Sequence, residues 1–328
     1  MTWRRRRSAL PGALSWAYVV ALGVAWGVRE WLGERHWAGC LVALAPQWVW
    51  CVAPMALLAW TGLARRFGLL ALNSLALVVA ASVLGGFALA TGSPGSSAET
   101  PFPLRVVTWN VLGHRTHRDP GAILWELDAL SADVICLQEA GFGAYHRYWD
   151  DWHRAGRHDL RVISRFPLAE MPLDGGDSEG VAAYLLQTPA GPVVLMNAHF
   201  RVTAAGSQEL IPEAGQFQRY LLDSSRLRTA HVGHVLSHLP SDLPVVVCGD
   251  MNLPPTSTPY RMLAARLTDA FAATRFGFGL TYLARRRVPA WRIDYVWCGN
   301  GVRPVSARTG GPGPSDHRPV VADLLVGG

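Results

Sequence analysis

Three long apolar stretches within the first 91 residues constrain this chain more than any other feature. They span roughly residues 9–28, 37–60 and 67–91, and none carries a charged side chain in its interior. Each approaches the ~20 residues needed to cross a bilayer. Arg4 to Arg7 also fit the basic start of a cleaved signal peptide. Two further apolar stretches follow at once, so a retained membrane anchor over residues 1–91, with three transmembrane helices, is the expectation. Arginine placement sets its orientation. The arginines at 4–7 and the pair Arg65-Arg66 belong on the cytoplasmic side, whereas the loop REWLGERHW balances two arginines with two glutamates and can face outward. Three crossings then put everything after residue 91 outside the cytoplasm.

The charge agrees with a membrane partner. The chain is 50% hydrophobic and only 16% charged, with a net charge of +6. Residues 1–100 hold 8 arginines against 3 acids, and residues 101–328 hold 22 against 21. The basic excess sits in the anchor, and the rest lacks the lopsided charge of a polyanion-binding domain. The five cysteines show neither disulfide-framework nor metal-ligand spacing and read as small buried apolar residues.

Residues 92–101 (GSPGSSAETP) are small, polar and proline-bearing, and read as a linker. Beyond it, over 102–328, short β-branched runs predict strands at 104–111, 133–139, 160–166, 180–188, 192–200, 244–250, 292–298 and 320–326. Helical spacing appears over about 119–130 and 213–239. Many strands, several joined by short turns, with helices between others, predict a layered α/β sandwich.

Several strands end on a polar or ionisable residue: Asn110, Glu139, His199, Asp250 with Asn252, Asp294, and the pair Asp316-His317 ahead of the last strand. Singly, each has an ordinary reading as a turn residue, a cap, a structural histidine or half of an ion pair, Asp294 with Arg292 for example. Recurrence at strand ends changes that, because ligand sites in layered sheets gather there. Carboxylates with amide oxygens suit a hard divalent cation such as Mg²⁺. Histidines held protonated can grip a phosphate or assist a leaving oxygen, and an aspartate can orient or deprotonate water. The set fits metal-assisted hydrolysis of a phosphate ester.

In order, TWNV, LQEA, SRFPL, NAHF, GDMNLPPTS, RIDYVW and SDHRPV resemble the signature blocks of the endonuclease/exonuclease/phosphatase (DNase I-like) superfamily, over about residues 103–326. The resemblance implies a four-layer α/β/β/α sandwich with its site at one edge of the paired sheets. It implies Glu139 as principal metal ligand, with Asn110 supporting and Asp316 near the metal, for Mg²⁺ or Mn²⁺. Asp250 would orient or activate the water, Asn252 would hold it and a phosphate oxygen, and His199 would donate to the phosphate. Asp294 would pair with His317, keeping that imidazole charged. Met251 departs from the bulkier residue frequent at its position. No evident glutamate matches the one that partners the first histidine in DNase I-type nucleases; Glu170 and Glu179 lie nearby in sequence but fit poorly.

The anchor adds a second resemblance, to the membrane-bound bacterial branch that includes the actinobacterial teicoplanin-resistance membrane proteins. That implies a multi-pass protein of the bacterial cell membrane with an extracytoplasmic phosphatase domain. Its substrate would be a lipid-linked phosphate or pyrophosphate, such as the undecaprenyl carrier, with a link to glycopeptide resistance. Tethering raises the effective concentration of a membrane-embedded headgroup. Arg147, Arg154, Arg157 or Arg285 to Arg287 could approach an anionic surface; the last run reads equally as a solvated loop. A metal-dependent nuclease is the alternative, and nucleic acid the alternative partner, although a DNA-binding groove would benefit from more basic charge. A catalytically silent membrane sensor would be expected to lack an acid or histidine, and none is missing.

Overall fold

Pairing in register of β-branched runs produces two six-stranded sheets that share one buried core. The computed structural model describes residues 2–90, 92, 101–113, 120–141, 151–174, 180–201, 216–284 and 288–327. In chain order the strands are β1 (Ala88–Leu89), β2 (Phe102–Asn110), β3 (Val134–Gln138), β4 (His153–Arg157), β5 (Leu160–Ser164), β6 (Leu168–Met171), β7 (Val181–Thr188) and β8 (Gly191–His199). They continue with β9 (Val245–Asp250), β10 (Thr268–Asp269), β11 (Phe276–Gly277), β12 (Tyr282–Ala284), β13 (Val288–Trp291), β14 (Asp294–Cys298), β15 (Val302–Thr309) and β16 (Val320–Val326). The helices are α1 (Thr2–Gly27), α2 (Trp37–Leu44), α3 (Val49–Leu63), α4 (Phe67–Val79), α5 (Pro120–Ala129), α6 (Phe217–Ser237), α7 (Thr258–Ala264) and α8 (Ala270–Thr274).

One sheet runs β15-β16-β2-β3-β5-β4 and the other β10-β14-β9-β8-β7-β6. The period of two sends alternate side chains to opposite faces. Val106, Cys136, Val162, Leu195, Cys248 and Val296 point into the space between the sheets. Their neighbours Val107, Ile135 and Ile163 pack beneath α5. On the other sheet, Val194, Met196, Val247 and Trp297 share a cluster with Val232 and Val235 of α6 and Leu263 of α7. Helix, sheet, sheet, helix is the four-layer sandwich expected. Both faces of each sheet are covered, which explains why the strands read as nearly unbroken apolar runs. All five cysteines are buried free thiols.

The N-terminal region forms apolar helices, of which Ala9–Arg35 and Phe67–Leu84 are each long and apolar enough to cross a membrane. The second stretch differs from the expected span. Trp37–Leu44 and Val49–Leu63 are separate helices bent by 63°. Pro46 supplies the reason: it has no N–H to donate, and it forces the preceding Ala45 into extended backbone (φ −60°, ψ 143°). At 15 residues α3 is about 22 Å long, so this stretch is long enough for a span only when the two helices of the bent pair are taken together. The third helical run ends at Leu84 rather than at 91. Nearly all of the expected linker at 92–101 lies outside the described residues, as do Arg147, Glu179 and Arg285 to Arg287.

The ends of these helices meet the sandwich through specific bonds. The Glu34 carboxylate accepts from Ser225 Oγ at 2.9 Å and from the Thr258 backbone N–H, and lies 3.8 Å from the Arg228 guanidinium. At the break between α2 and α3, Thr256 Oγ1 donates to the Ala43 carbonyl (2.7 Å) and Trp291 Nε1 to the Leu44 carbonyl (2.9 Å). There too Gln47 Oε1 accepts from the Arg292 N–H (2.6 Å). β1, just beyond α4, pairs with β11.

Candidate active site

Strand register brings the site together. Parallel pairing of β8 with β9 sets His199 opposite Asp250, and antiparallel pairing of β14 with β9 sets Asp294 opposite the same residue. In the facing sheet, parallel pairing of β2 with β3 sets Asn110 beside Gln138, with Glu139 next in the chain. The two sheets join at this edge through Asn110, whose Nδ2 donates to Asp250 Oδ2 (3.0 Å) and to Glu139 Oε1 (3.1 Å). Its amide oxygen accepts from the Leu112 N–H (3.0 Å). Asn110 therefore enters the site as a donor spanning two carboxylates.

Two residues of the site hold left-handed backbone without being glycine: Glu139 (φ 52°) and Asn252 (φ 49°). Such conformations persist where surrounding structure overdetermines them. Asn252 is fixed at both ends, its N–H donating to Asp250 Oδ1 (3.0 Å) and its Nδ2 to the Phe200 carbonyl (2.9 Å). Gly249 keeps to the strand rather than turning the chain. It lies within β9 at φ 136°, where a Cβ would sit 1.9 Å from the Ala198 carbonyl oxygen. Glycine is needed there because β8 approaches so closely.

Asp250 is central. Its Oδ2 lies 3.9 Å from His199 Nε2 and 3.7 Å from His317 Nε2. Each imidazole is held by a second carboxylate at its other nitrogen: His199 Nδ1 to Asp159 Oδ2 at 2.6 Å, and His317 Nδ1 to Asp294 Oδ2 at 2.9 Å. The expected Asp294–His317 pair is thus present. Arg292 pairs with Asp269 instead, in a buried ion pair, which leaves Asp294 to the histidine. Ser315 Oγ donates to the Asn110 carbonyl (2.7 Å) and accepts from the His317 N–H (3.0 Å), locking the last loop to β2.

Asp159 is the residue that sequence reasoning missed. It occupies the two-residue turn between β4 and β5, after His158 at φ 54°. Its carbonyl accepts from the Ala140 N–H (2.9 Å), so the turn is tied to the loop that carries Glu139. It supplies the carboxylate partner of His199, for which Glu170 and Glu179 fitted poorly in sequence. No motif marks it; the available signal was a polar His-Asp pair between two strand-like runs.

Electrostatics follow from this geometry. Burial opposes charging His199, but the Asp159 hydrogen bond and the charges of Asp250, Asp159 and Glu139 outweigh it and raise its pKa to about 9. Burial likewise opposes charging His317, and Asp294 and Asp250 raise it to about 10. Burial and the neighbouring Asp294 push the Asp250 carboxyl above the usual carboxylate range, against the pull of the two histidines. Two cationic Nε2–H donors therefore flank one buried aspartate.

The donor set fits a hard divalent cation. Glu139, Asp250, Asp294 and Asp316 supply carboxylate oxygen, and Asp250, Asp294 and His317 offer ligand atoms all within 4.8 Å of one another. Asp316 Oδ1 is enclosed without a hydrogen-bond partner among the described residues, an acceptor suited to a cation or its water. Cys136 and Cys248 lie in the core between the sheets, away from this set.

Comparison with known proteins agrees with fold and site. The model of the Endonuclease/Exonuclease/phosphatase family matches residues 107–317, which include every strand-end residue named above. No curated protein matches the chain. Among solved structures, an AP endonuclease from Archaeoglobus fulgidus is 17% identical, with 67% of this chain and 98% of that chain covered at a TM-score of 0.52. An endonuclease/exonuclease/phosphatase from Bacteroides vulgatus is 16% identical, with 69% and 99% covered and a TM-score of 0.52. The human Nocturnin catalytic domain with bound sulfate is 19% identical, with 68% and 94% covered and a TM-score of 0.50. These likenesses extend over the sandwich and show its fold. With the family model spanning well over half of the sequence, the chain belongs to the endonuclease/exonuclease/phosphatase family, whose enzymes are divalent-metal-dependent phosphoester hydrolases.

Proposed function

We propose that this protein hydrolyses a lipid-linked phosphate or pyrophosphate, of the undecaprenyl-carrier kind, at the extracytoplasmic face of a bacterial cell membrane. The observation that carries this reading is the attachment of the site's own rim to the ends of the apolar helices. Thr256, four residues beyond Asn252, bonds to Ala43, and Trp291 and Arg292, just before Asp294, bond to Leu44 and Gln47. Helices that cross a bilayer would thereby hold the site close to a headgroup. The same contacts leave the Arg65-Arg66 turn between α3 and α4 at the far ends of those helices, the arrangement expected if the arginines are cytoplasmic. Membership of the membrane-bound branch, and a role in glycopeptide resistance, follow as part of this proposal.

Glu139, its carboxylate braced by Asn110, would hold Mg²⁺ or Mn²⁺ together with Asp316, and the ion would supply charge neutralisation at a phosphoryl oxygen. Asp250 orients the attacking water and receives its proton. Asn252, pinned by Asp250 and Phe200, fixes the backbone on which that water sits. His199 and His317 present Nε2–H groups to the phosphoryl oxygens, where negative charge develops and the leaving oxygen needs a proton. Asp159 and Asp294 keep both rings charged and aimed.

The test compares substrates with the full chain in lipid nanodiscs and Mg²⁺. Phosphate release from a polyprenyl pyrophosphate, lost in Asp250→Asn, is expected. Efficient nicking of plasmid with no release from lipid phosphates would replace this reading by the nuclease alternative.

A further inference from the structure

A cleft of about 410 Å³ is lined by none of the residues placed in the hydrolytic centre. Arg275, Arg308 and Arg318 line it together with Phe271, Phe276 and Phe278, and no acid is among its described lining residues. Arg308 lies near enough to Asp323 to favour its charged form, whereas Arg318 Nε is enclosed without an acceptor among the described residues. An enclosed guanidinium N–H without a partner is costly to leave unmet, so this wall calls for an anion.

The position of the cleft says which anion. Phe276 belongs to β11, which pairs with β1 only four residues beyond Leu84, the end of the third apolar helical run. Pro289, another lining residue, accepts through its carbonyl from Trp48 Nε1 at the start of α3. Phe276 (72% exposed), Leu89 (56%) and Val288 (45%) leave an apolar rim at the same place. Arginines beneath an apolar rim at the ends of membrane-type helices match an amphiphile: phosphate inward, acyl chains toward the bilayer.

We propose that this cleft binds the phosphate of an anionic bilayer lipid at a site separate from the hydrolytic centre. The inference rests on the reading that the apolar helices span a bilayer. It also gives the lipid a route to the chemistry. The Arg318 N–H donates to the Thr281 carbonyl (2.8 Å), Thr281 Oγ1 accepts from the Asp294 N–H (3.2 Å), and Arg318 directly follows His317. A lipid held by Arg318 would steady the segment that carries the His317–Asp294 pair.

The experiment uses the full chain in nanodiscs of phosphatidylcholine containing a minor fraction of phosphatidylglycerol, followed by native mass spectrometry of the lipid retained. The wild type is expected to retain phosphatidylglycerol in preference to phosphatidylcholine. The exposed pair Arg275→Gln/Arg308→Gln is expected to lower that preference about thirtyfold. Hydrolysis of soluble bis-p-nitrophenyl phosphate by the pair should stay within about twofold of wild type, which reports a folded hydrolytic centre. Arg226→Gln, on the solvent-facing side of α6, should retain lipid as the wild type does. No preference in the wild type, or equal retention by the double variant, overturns the proposal. Displacement of the lipid by millimolar inorganic phosphate alone would identify a free-anion site and overturn the lipid assignment. Failure of the wild type to enter nanodiscs would instead overturn the membrane reading, a separate result.

Discussion

Replacing Asp159 by asparagine tests the electrostatics of the site most directly. The variant keeps the turn and a polar partner for His199 Nδ1 but removes the nearest of three negative charges. Asp159 lies 2.6 Å from the ring, whereas Asp250 and Glu139 lie 3.9 Å away. Together these groups raise His199 from 6.5 to about 9 against the cost of burial. Asp159 is 40% exposed, so solvent screens part of its charge, and about half of the rise is assigned to it, about 1.2 pH units or about 1.7 kcal/mol. The His199 midpoint should therefore fall from about 9 toward the ordinary histidine value in Asp159→Asn, read by imidazole ¹⁵N NMR of the EDTA-treated protein. The sign for stability follows from linkage. A raised folded-state pKa stabilises fully below the unfolded value near 6.5 and loses that contribution as pH rises through about 9. The variant should thus lose about 1.7 kcal/mol near pH 6 and almost nothing at pH 10, measured by urea unfolding. Its hydrolysis should fall off at lower pH on the alkaline side than that of the wild type. A His199 midpoint that stays at the wild-type value, or a stability loss that does not depend on pH, would refute this account.

Three further outcomes are expected. Asp250→Asn should cut phosphoester hydrolysis by about a thousandfold or more without lowering the melting temperature, because it removes a buried charge beside Asp294; residual activity above a tenth would exclude Asp250 from handling the water. Gly249→Ala should cost about 3 kcal/mol or more in urea unfolding, since a Cβ would sit 1.9 Å from the Ala198 carbonyl oxygen. A loss below about 1 kcal/mol would mean that β8 and β9 can move apart. Glu34→Ala should destabilise the chain by about 3 kcal/mol, because it strands the buried Arg228 guanidinium and frees Ser225 and Thr258. The milder Glu34→Gln should restore part of that, and equal melting temperatures for both variants and wild type would show that the contact is dispensable.

Much of this protein could be read from its residues in order. Nearly unbroken apolar runs are bounded by Asn110, Glu139, His199, Asp250 and Asp294, and once strands pair in register these residues must fall at one edge. Local chemistry sufficed there because pleat and pairing leave few alternatives. Apolar length announced the helices for the same local reason. The tertiary structure alone decided what depends on residues distant in sequence. Asp159 becomes the partner of His199 only because the β4–β5 turn folds across 40 residues of intervening chain to meet β8. The second apolar stretch breaks at Pro46 and turns Gln47 toward Arg292, a contact spanning 245 residues that no local pattern encodes. The arginine cleft likewise joins β11, β15 and the loop after His317, three segments with no shared motif. Strand and helix follow from short-range sterics and hydrophobic period, whereas charge partners and clefts follow from which ends the packed layers bring together.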